Sequence, residues 1–156
     1  MQNLQSPASN AQNFDIKPRI TSLSAYEGST GDSITLTGTG FDATAGNNTV
    51  KFGSTPATVT AASATSLTVT LTEAPAGDTA VTVKIGNQTS ASLNFTRKPK
   101  ITALTTAEIQ EGKAVLIRGQ TLTIAGTNFD PTPANNTVKV GGYAAALSAA
   151  TATQLT

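Results

Sequence analysis

The chain has 156 residues, of which 38% are hydrophobic and only 12% are charged, and its formal net charge at pH 7 is +1. It contains no His and no Cys, which excludes imidazole and thiolate metal sites, Ser-His-Asp and Cys-His nucleophiles, disulfides and an imidazole pH switch. A small net charge also gives no long-range field toward nucleic acid or an anionic membrane. We therefore expect a non-catalytic protein with no catalytic residues, no metal and no cofactor.

The polar surface of the chain must come mainly from hydroxyl groups, because a soluble domain usually carries about 25% charged residues. The 29 Thr and 12 Ser residues supply them. Thr is branched at its β-carbon and favours strands. The composition therefore already indicates a β-rich domain.

The first 16 residues, MQNLQSPASNAQNFDI, lack the apolar stretch of a signal peptide. We expect residues 1–16 to form a disordered leader. Nowhere in the sequence does an apolar run approach the ~18 residues that a membrane span needs. Direct membrane insertion is therefore not expected.

The remainder of the chain is an internal repeat. Residues 41–68 align without gaps to residues 129–156, with 16 of 28 positions identical. Upstream, the segment KPRIT at residue 17 matches KPKIT at residue 98. The repeat predicts two units, residues 17–97 and 98–156, with seven extra residues in the second around AEIQEGKAVLIRG. Because Thr156 aligns with Thr68, we expect the second unit to be truncated at its C-terminus.

Apolar and polar residues alternate with a period of two along the first unit, as in Ser33–Thr37, Thr68–Thr72 and Val81–Ile85. This pattern is typical of half-buried antiparallel strands. Turn residues separate the runs into seven short strands, a number that favours a β-sandwich. We predict essentially no helix, although residues 144–152 are rich in Ala. The predicted core consists of Ile20, Leu23, Ile34, Leu36, Phe41, Val50, Phe52, Val59, Leu67, Val69, Leu71, Val81, Val83, Leu93 and Phe95.

Several motifs occur in the same order in both units. The first carries GDSITLTGTGF at residues 31–41 and NTVKFG at 48–53, and the second carries TIAGTNF at 123–129 and NTVKVG at 136–141. In these motifs the chain resembles the IPT/TIG family, whose immunoglobulin-like fold is shared by plexins, Rel-type transcription factors and many bacterial surface proteins. The resemblance implies an all-β protein of tandem immunoglobulin-like (E-set) β-sandwiches, the second incomplete. It also implies an extracellular or cell-surface location, with other domains of the same parent protein as partners.

The loop that follows the GTGF motif contains the most regular polar pattern. We expect Gly38 and Gly40 to let the strand leave the sheet at positive φ, so that Phe41 turns inward and closes the end of the sandwich. Asn47-Asn48 and Asn135-Asn136 are predicted to cap this loop through bonds to backbone N–H groups. With Asp42 and Asp130 nearby, a calcium site is an alternative interpretation, although one carboxylate per loop is a weak cage.

Three functional classes fit this sequence: a spacer or adhesion module, a carbohydrate-binding accessory module, and a DNA-binding module. Sugar-binding surfaces usually offer exposed aromatic faces, and only Tyr26 and Tyr143 lie in predicted loops, so they are the candidate ligand-binding residues. The basic residues Arg97, Lys98 and Lys100 lie together at the junction, where they keep a linker solvated. We therefore expect no nucleic-acid partner and rank the spacer first, with a surface glycan or protein as the alternative partner.

The junction between the units is short. The sequence Arg97-Lys98-Pro99-Lys100 contains a proline that restricts φ, so the units should lie end to end with little hinge freedom. The loops at Tyr26, Ser54 and Pro75 should share the end of the first unit that faces the second. Tyr26 is then predicted to act as a wedge near the loop 130–136. Four carboxylates could share this end of the first unit, namely Glu27, Asp32, Glu73 and Asp78. We interpret them as solvated loop residues.

Overall fold

A computed structural model describes residues 17–106, 108–110, 113–115 and 119–156. The predicted leader over residues 1–16 and part of the predicted insertion lie outside these described residues. The described chain is built of strands, and its helical segments are two single 3-10 turns, Ala45–Asn47 and Pro133–Asn135. The Ala-rich segment 144–152 begins in a strand and continues in bends, not in a helix. The predicted all-β fold class is confirmed.

Nine strands form the first unit, two of them only two residues long. They are β1 (Arg19–Leu23), β2 (Glu27–Gly28), β3 (Ser33–Thr39), β4 (Thr49–Phe52), β5 (Thr55–Ala62), β6 (Ser66–Thr70), β7 (Gly77–Ile85), β8 (Gln88–Thr89) and β9 (Leu93–Arg97). The strand order is β1-β3-β6-β5-β4-β7-β9-β2, with β8 paired to β7. Most pairs are antiparallel, whereas β2 runs parallel to β9.

Strand β5 joins the two layers of this sandwich. Its first residues, 55–57, pair with β4, and residues 58–62 pair with β6, with a register shift after Val59. A register shift bends and twists a strand locally. One layer therefore contains β1, β3 and β6, the other contains β4, β7, β9 and β2, and β5 belongs to both.

The core of the first unit lies between these layers. Thirteen of the fifteen predicted core residues are buried, and Val59 and Leu93 are partly buried and pack against the same cluster. The rings of Phe52 and Phe95 meet edge to face, with centroids 4.9 Å apart, a favourable geometry for aromatic pairs. The alternation of apolar residues in the sequence therefore identified the core correctly.

Gly38 is needed for space rather than for an unusual φ. A β-carbon at this position would collide with the carbonyl oxygen of Arg19 and the ring of Phe41. Gly40 instead has a positive φ of 73°, as predicted. The expectation that both glycines supply positive φ is therefore correct for Gly40 and wrong for Gly38, which allows β1 and the buried Phe41 ring to approach β3.

The second unit repeats five of these strands. Its described strands are β10 (Lys100–Thr105), β11 (Glu108–Gln110), β12 (Lys113–Val115), β13 (Thr123–Thr127), β14 (Val138–Val140), β15 (Tyr143–Ala145) and β16 (Gln154–Leu155). Strands β10, β13 and β16 form one sheet, and β14 pairs with β15. The register shift between Ile20 and Ser22 in β1 recurs between Ile101 and Ala103 in β10.

The apolar face of the second unit is much less covered than that of the first. Ile20 and Leu23 are 7% and 6% exposed, whereas their counterparts Ile101 and Leu104 are 59% and 52% exposed. In the first unit β4 pairs on one edge with β5 and on the other with β7. Its counterpart β14 has β15 as its partner in the described chain. The covering layer formed by β7 and β9 has no counterpart among these residues.

Candidate functional site

The end of the first unit at which β9 leaves the sandwich faces the second unit. Here the turn at Ser54, the loop at Pro75 and the side chain of Arg97 line one cavity of about 260 Å³. The N–H of Thr96 in β9 donates to the carbonyl oxygen of Tyr26 at 2.9 Å. The three loops predicted to share this end therefore lie around the end of β9.

Arg97 is the last residue of β9 and is only 3% exposed. Its Nη1 donates to the carbonyl oxygen of Thr72 at 2.8 Å, and its guanidinium carbon lies 5.6 Å from the centre of the Phe52 ring. Its Nε and Nη2 have no acceptor in the described chain. Burial lowers the pKa of Arg97, and the negative charge of Glu73 opposes this effect. Arg97 is thus a packed residue of the junction and not part of an exposed basic patch.

Asn128 joins the two units. It lies in the loop after β13, and its side chain is fully buried. Its backbone N–H donates to Oε1 of Glu73 at 3.1 Å, and its carbonyl oxygen accepts from the N–H of Ala76 at 2.9 Å. The hydroxyl of Thr30 donates to its Oδ1, and its Nδ2 donates to the carbonyl oxygen of Lys98 at 2.9 Å. One residue of the second unit therefore binds three residues of the first and the linker.

The linker itself is fastened to the first unit. The N–H of Lys98 donates to the carbonyl oxygen of Gly28 at 2.9 Å, and the hydroxyl of Ser29 donates to the carbonyl oxygen of Lys98 at 2.8 Å. The ammonium of Lys98 lies 2.5 Å from Oε2 of Glu27. These bonds extend the pairing of β2 with β9 into the linker, so the connection contains few free torsions.

The four carboxylates at this end serve separate structural contacts. Glu27 pairs with Lys98, and Oδ2 of Asp32 accepts from the N–H of Ser29 at 2.8 Å. Oε1 of Glu73 accepts from Asn128, and Oδ1 of Asp78 accepts from the Thr96 hydroxyl at 2.7 Å. Each of these four residues thus has its own structural partner, which gives them roles within loops and at the junction.

The asparagine loops after β3 and β13 are built identically. In the first, Oδ1 of Asn48 accepts from the N–H of Asp42 at 3.1 Å, and Nδ2 of Asn48 donates to the carbonyl oxygens of Asp42 and Thr44 at 2.8 and 3.0 Å. Asn136 makes the same three bonds in the second loop. The predicted capping is therefore correct for the second asparagine of each pair.

The first asparagine of each pair binds the aspartate. Nδ2 of Asn47 donates to Oδ2 of Asp42 at 3.0 Å, and Oδ1 of Asp42 accepts from the N–H of Thr44 at 2.7 Å. These bonds lower the pKa of Asp42, the Thr44 N–H most. No group of three His, Cys, Asp or Glu side chains that could hold a metal ion occurs among the described residues. The loop thus uses both carboxylate oxygens for its own geometry, which disfavours the calcium interpretation.

The two candidate ligand-binding residues differ in their positions. Tyr26 is 53% exposed at the junction end, and Tyr143 is 83% exposed at the start of β15. Among the described residues, the hydrogen bonds between the units are made by the linker residue Lys98 and by Asn128 with its partners, and none of these involves the Tyr26 side chain. Sequence reasoning missed Asn128, although its alignment with Gly40 marked a position where the two units differ.

A crevice of about 360 Å³ lies beside the junction. Its lining residues come from the linker, the second unit and Ala76, and include Ile101, Ile124, Phe129, Val138 and Leu155. Most of its apolar residues belong to the face that β7 and β9 cover in the first unit. The crevice is therefore the uncovered interior of the second unit.

The fold and the junction define a tandem of immunoglobulin-like sandwiches. The family model for the IPT/TIG domain matches residues 18–97 and again 99–156. The chain therefore belongs to the IPT/TIG family, whose immunoglobulin-like domains are generally non-catalytic. None of the curated proteins compared with it matches the chain.

Solved structures resemble parts of this fold. A structural genomics protein of unknown function from Bacteroides thetaiotaomicron is 14% identical, with a TM-score of 0.52, covering 61% of this chain and 24% of its own. An auxiliary nutrient binding protein from the same organism is 24% identical, with a TM-score of 0.50; the match covers 59% of this chain and 23% of that protein. A gamma-CGTase from alkalophilic Bacillus clarkii is 26% identical, with a TM-score of 0.49; the match covers 55% of this chain and 13% of that protein. The chain thus spans at most 24% of the length of these three proteins.

Within the part of the chain that the structure describes, no helix has the length and the apolar character needed to cross a membrane.

Proposed function

We propose that the chain is a non-catalytic spacer or adhesion module of a bacterial secreted or cell-surface protein. The observation that supports this proposal is the junction at Asn128, where four polar groups of one buried residue bind the first unit and the linker. A spacer must hold its neighbours at a fixed distance and needs no ligand. Its partners would be the other domains of the same parent protein, at an extracellular or cell-surface location.

The proposed boundaries of the module are residues 17–97 and 98–156. The second unit would be completed by strands that cover its apolar face, as β7 and β9 cover the first. The proposal includes no catalytic residue, metal or cofactor. It also includes no nucleic-acid partner, since Arg97 is buried and Lys98 pairs with Glu27.

A carbohydrate-binding accessory module of a glycan-capturing or polysaccharide-degrading surface protein is the alternative. The observation that favours it is Tyr143, whose side chain is 83% exposed, because sugar-binding sites commonly present accessible aromatic rings. The likeness to a nutrient binding protein concerns the fold alone. Tyr26, half exposed beside β9, is the second candidate ligand residue.

Glycan-array screening of the chain separates the two functions. The spacer proposal predicts no specific glycan binding, together with a single extended arrangement of the two units in small-angle X-ray scattering. The Tyr143→Ala variant provides the matched control, since removal of an exposed ring should leave folding unchanged. Specific binding of a glycan that Tyr143→Ala or Tyr26→Ala abolishes would replace the spacer proposal with the carbohydrate-binding one.

A further inference from the structure

The residue before the inward-pointing phenylalanine has a positive φ in both units. It is Gly40 in the first unit, with φ of 73°, and Asn128 in the second, with φ of 60°. Glycine adopts this conformation without steric cost, and among other residues asparagine tolerates it best. The second unit therefore has the same loop as the first but adds a carboxamide at this position.

Both polar atoms of the added carboxamide are hydrogen-bonded. Its Oδ1 accepts from the hydroxyl of Thr30, which lies 98 residues earlier in the chain, and its Nδ2 donates to the carbonyl oxygen of Lys98. Asn128 itself is 0% exposed, so its own end of both bonds is shielded from water. Buried polar groups cost free energy unless they are paired. Undocking would therefore have to replace all of these bonds with bonds to water.

The end of the first unit presents a set of groups that complements this residue. The Thr30 hydroxyl and the Ala76 N–H are donors. The Glu73 carboxylate is an acceptor for the Asn128 N–H. A glycine such as Gly40 could use the Ala76 and Glu73 groups through its backbone, but it has no side chain to pair with Thr30.

We infer that Asn128 is the docking residue that fixes the orientation of the second unit, and that Thr30, Glu73 and Ala76 form its docking surface. The partner that this surface fits is an immunoglobulin-like unit with asparagine at positive φ before its inward phenylalanine. A unit with glycine there, like the first unit, lacks the side-chain bonds for this docking. The inference rests on the proposed spacer role for its biological meaning, but the contacts can be tested separately.

Spin-label distance measurements on the full chain test this inference, and the absence of native cysteine makes labelling specific. Labels are attached at Ala43→Cys and Ala144→Cys, two exposed positions in different units. We expect one narrow distance distribution in the parent, and a width that roughly doubles in Asn128→Gly, because weakly joined domains move relative to one another. Asn128→Gly installs the first unit's own residue and keeps positive φ accessible.

Two further variants control for damage to the second unit. Glu73→Ala removes an acceptor from the first unit only, and we expect it to broaden the distribution without changing the second unit. Gly40→Asn makes the reverse exchange away from the junction and should leave the width unchanged. An unchanged width in both Asn128→Gly and Glu73→Ala would overturn the inference, as would equal broadening by Gly40→Asn. A specific glycan hit that Tyr143→Ala or Tyr26→Ala abolishes would overturn the spacer proposal and leave the result for Asn128 standing.

Discussion

At the scale of single residues, the buried position of the Phe41 ring requires that residue 38 has no side chain. The ring of Phe41 and the carbonyl of Arg19 occupy the space in which a β-carbon at residue 38 would lie. We expect Gly38→Ala to lower the free energy of unfolding by about 3 kcal/mol, since backbone and ring must both shift. Phe41→Ala should cost about 3 to 5 kcal/mol, as for other buried aromatic residues.

Denaturant unfolding measures both effects, and Gly46→Ala is the matched control. A β-carbon at residue 46 meets no atom within 4 Å, so this variant should be within about 0.5 kcal/mol of the parent. If Gly38→Ala lowered the free energy of unfolding as little as Gly46→Ala does, β1 would not approach β3 as closely as described.

Asp42 makes the stability of its loop depend on pH. The N–H of Thr44 and the amide of Asn47 lower its pKa, so the folded protein binds this proton more weakly than the unfolded chain does. The stabilising effect is present above the ordinary aspartate pKa, about 3.9, and is lost as the pH falls through the lower value of the folded state. We expect Asp42→Asn to reduce the loss of stability between neutral and acidic pH.

The measurement is the denaturant midpoint across a pH series. Thr44→Ala keeps the backbone N–H that lowers the pKa of Asp42 most and removes only the hydroxyl, whose lowering effect is the smallest, so its profile should lie much closer to the parent's than that of Asp42→Asn. Parallel profiles for Asp42→Asn and the parent would contradict this account of the loop. Asp130 has the same contacts, with its pKa lowered in the same way by Thr132 and Asn135, and provides an internal repetition of the test.

Arg97 is a buried cation with two unpaired donor nitrogens. Its third guanidinium nitrogen, Nη1, donates to the Thr72 carbonyl, and the charge of Glu73 favours the charged form of Arg97. We expect Arg97→Met to lower the free energy of unfolding by about 1 to 3 kcal/mol, because the Thr72 carbonyl loses this donor. A loss within about 0.5 kcal/mol in denaturant unfolding would show that the two unpaired nitrogens cost as much as these contacts contribute.

At the scale of strands, the two units should differ in stability. Their corresponding strands β1 and β10 have the same register shift, but the apolar residues of β10 are far more exposed. Within the described part of the second unit, strand β14 is paired on one edge only, and an open edge and a small core both weaken a domain. We expect limited proteolysis to cleave the second unit first, with the segment 17–97 remaining as the resistant fragment.

The fragments can be identified by mass spectrometry. Adding the first unit's own segment 69–97 after Thr156 should slow cleavage of the second unit, because it supplies counterparts of β7 and β9. Equal resistance of both units in the parent chain would contradict the expected difference, provided that light scattering shows a monomer.

The elements that could be predicted from the sequence are those fixed by local pattern. Alternating residues identified β3, β6 and β7 and nearly the whole core, and the GTGF motif identified the turn at Phe41. The parallel pairing of β2 with β9 joins residues almost 70 positions apart, so no local pattern indicates it. The role of Gly38 was missed for a similar reason, since the atoms that exclude a β-carbon belong partly to β1.

At the scale of the whole molecule, the short linker correctly indicated that the units meet, but the residue that joins them was not predicted. Tyr26 was proposed because its loop was predicted to lie at this end of the first unit, whereas the structure joins the units through the hydrogen bonds of Asn128. Those bonds connect positions up to 98 residues apart. The sequence signal for Asn128 is a difference between the two repeats, because Asn128 aligns with Gly40 of the first unit.

The parallel pairing of β2 and β9 has a mechanical consequence. Strand β2 comes early in the sequence of the first unit and β9 is its last strand, yet the two lie side by side. The Thr96 N–H donates to the carbonyl of Tyr26, and the Lys98 N–H donates to the carbonyl of Gly28. A pull on the chain from both ends slides parallel strands along each other, so these bonds are strained together and not opened one after another. Once β1 has been pulled away from β3, tension along the chain would load this pair in shear, and Thr96→Pro, which removes one donor, should lower the force at which the pair opens in single-molecule stretching.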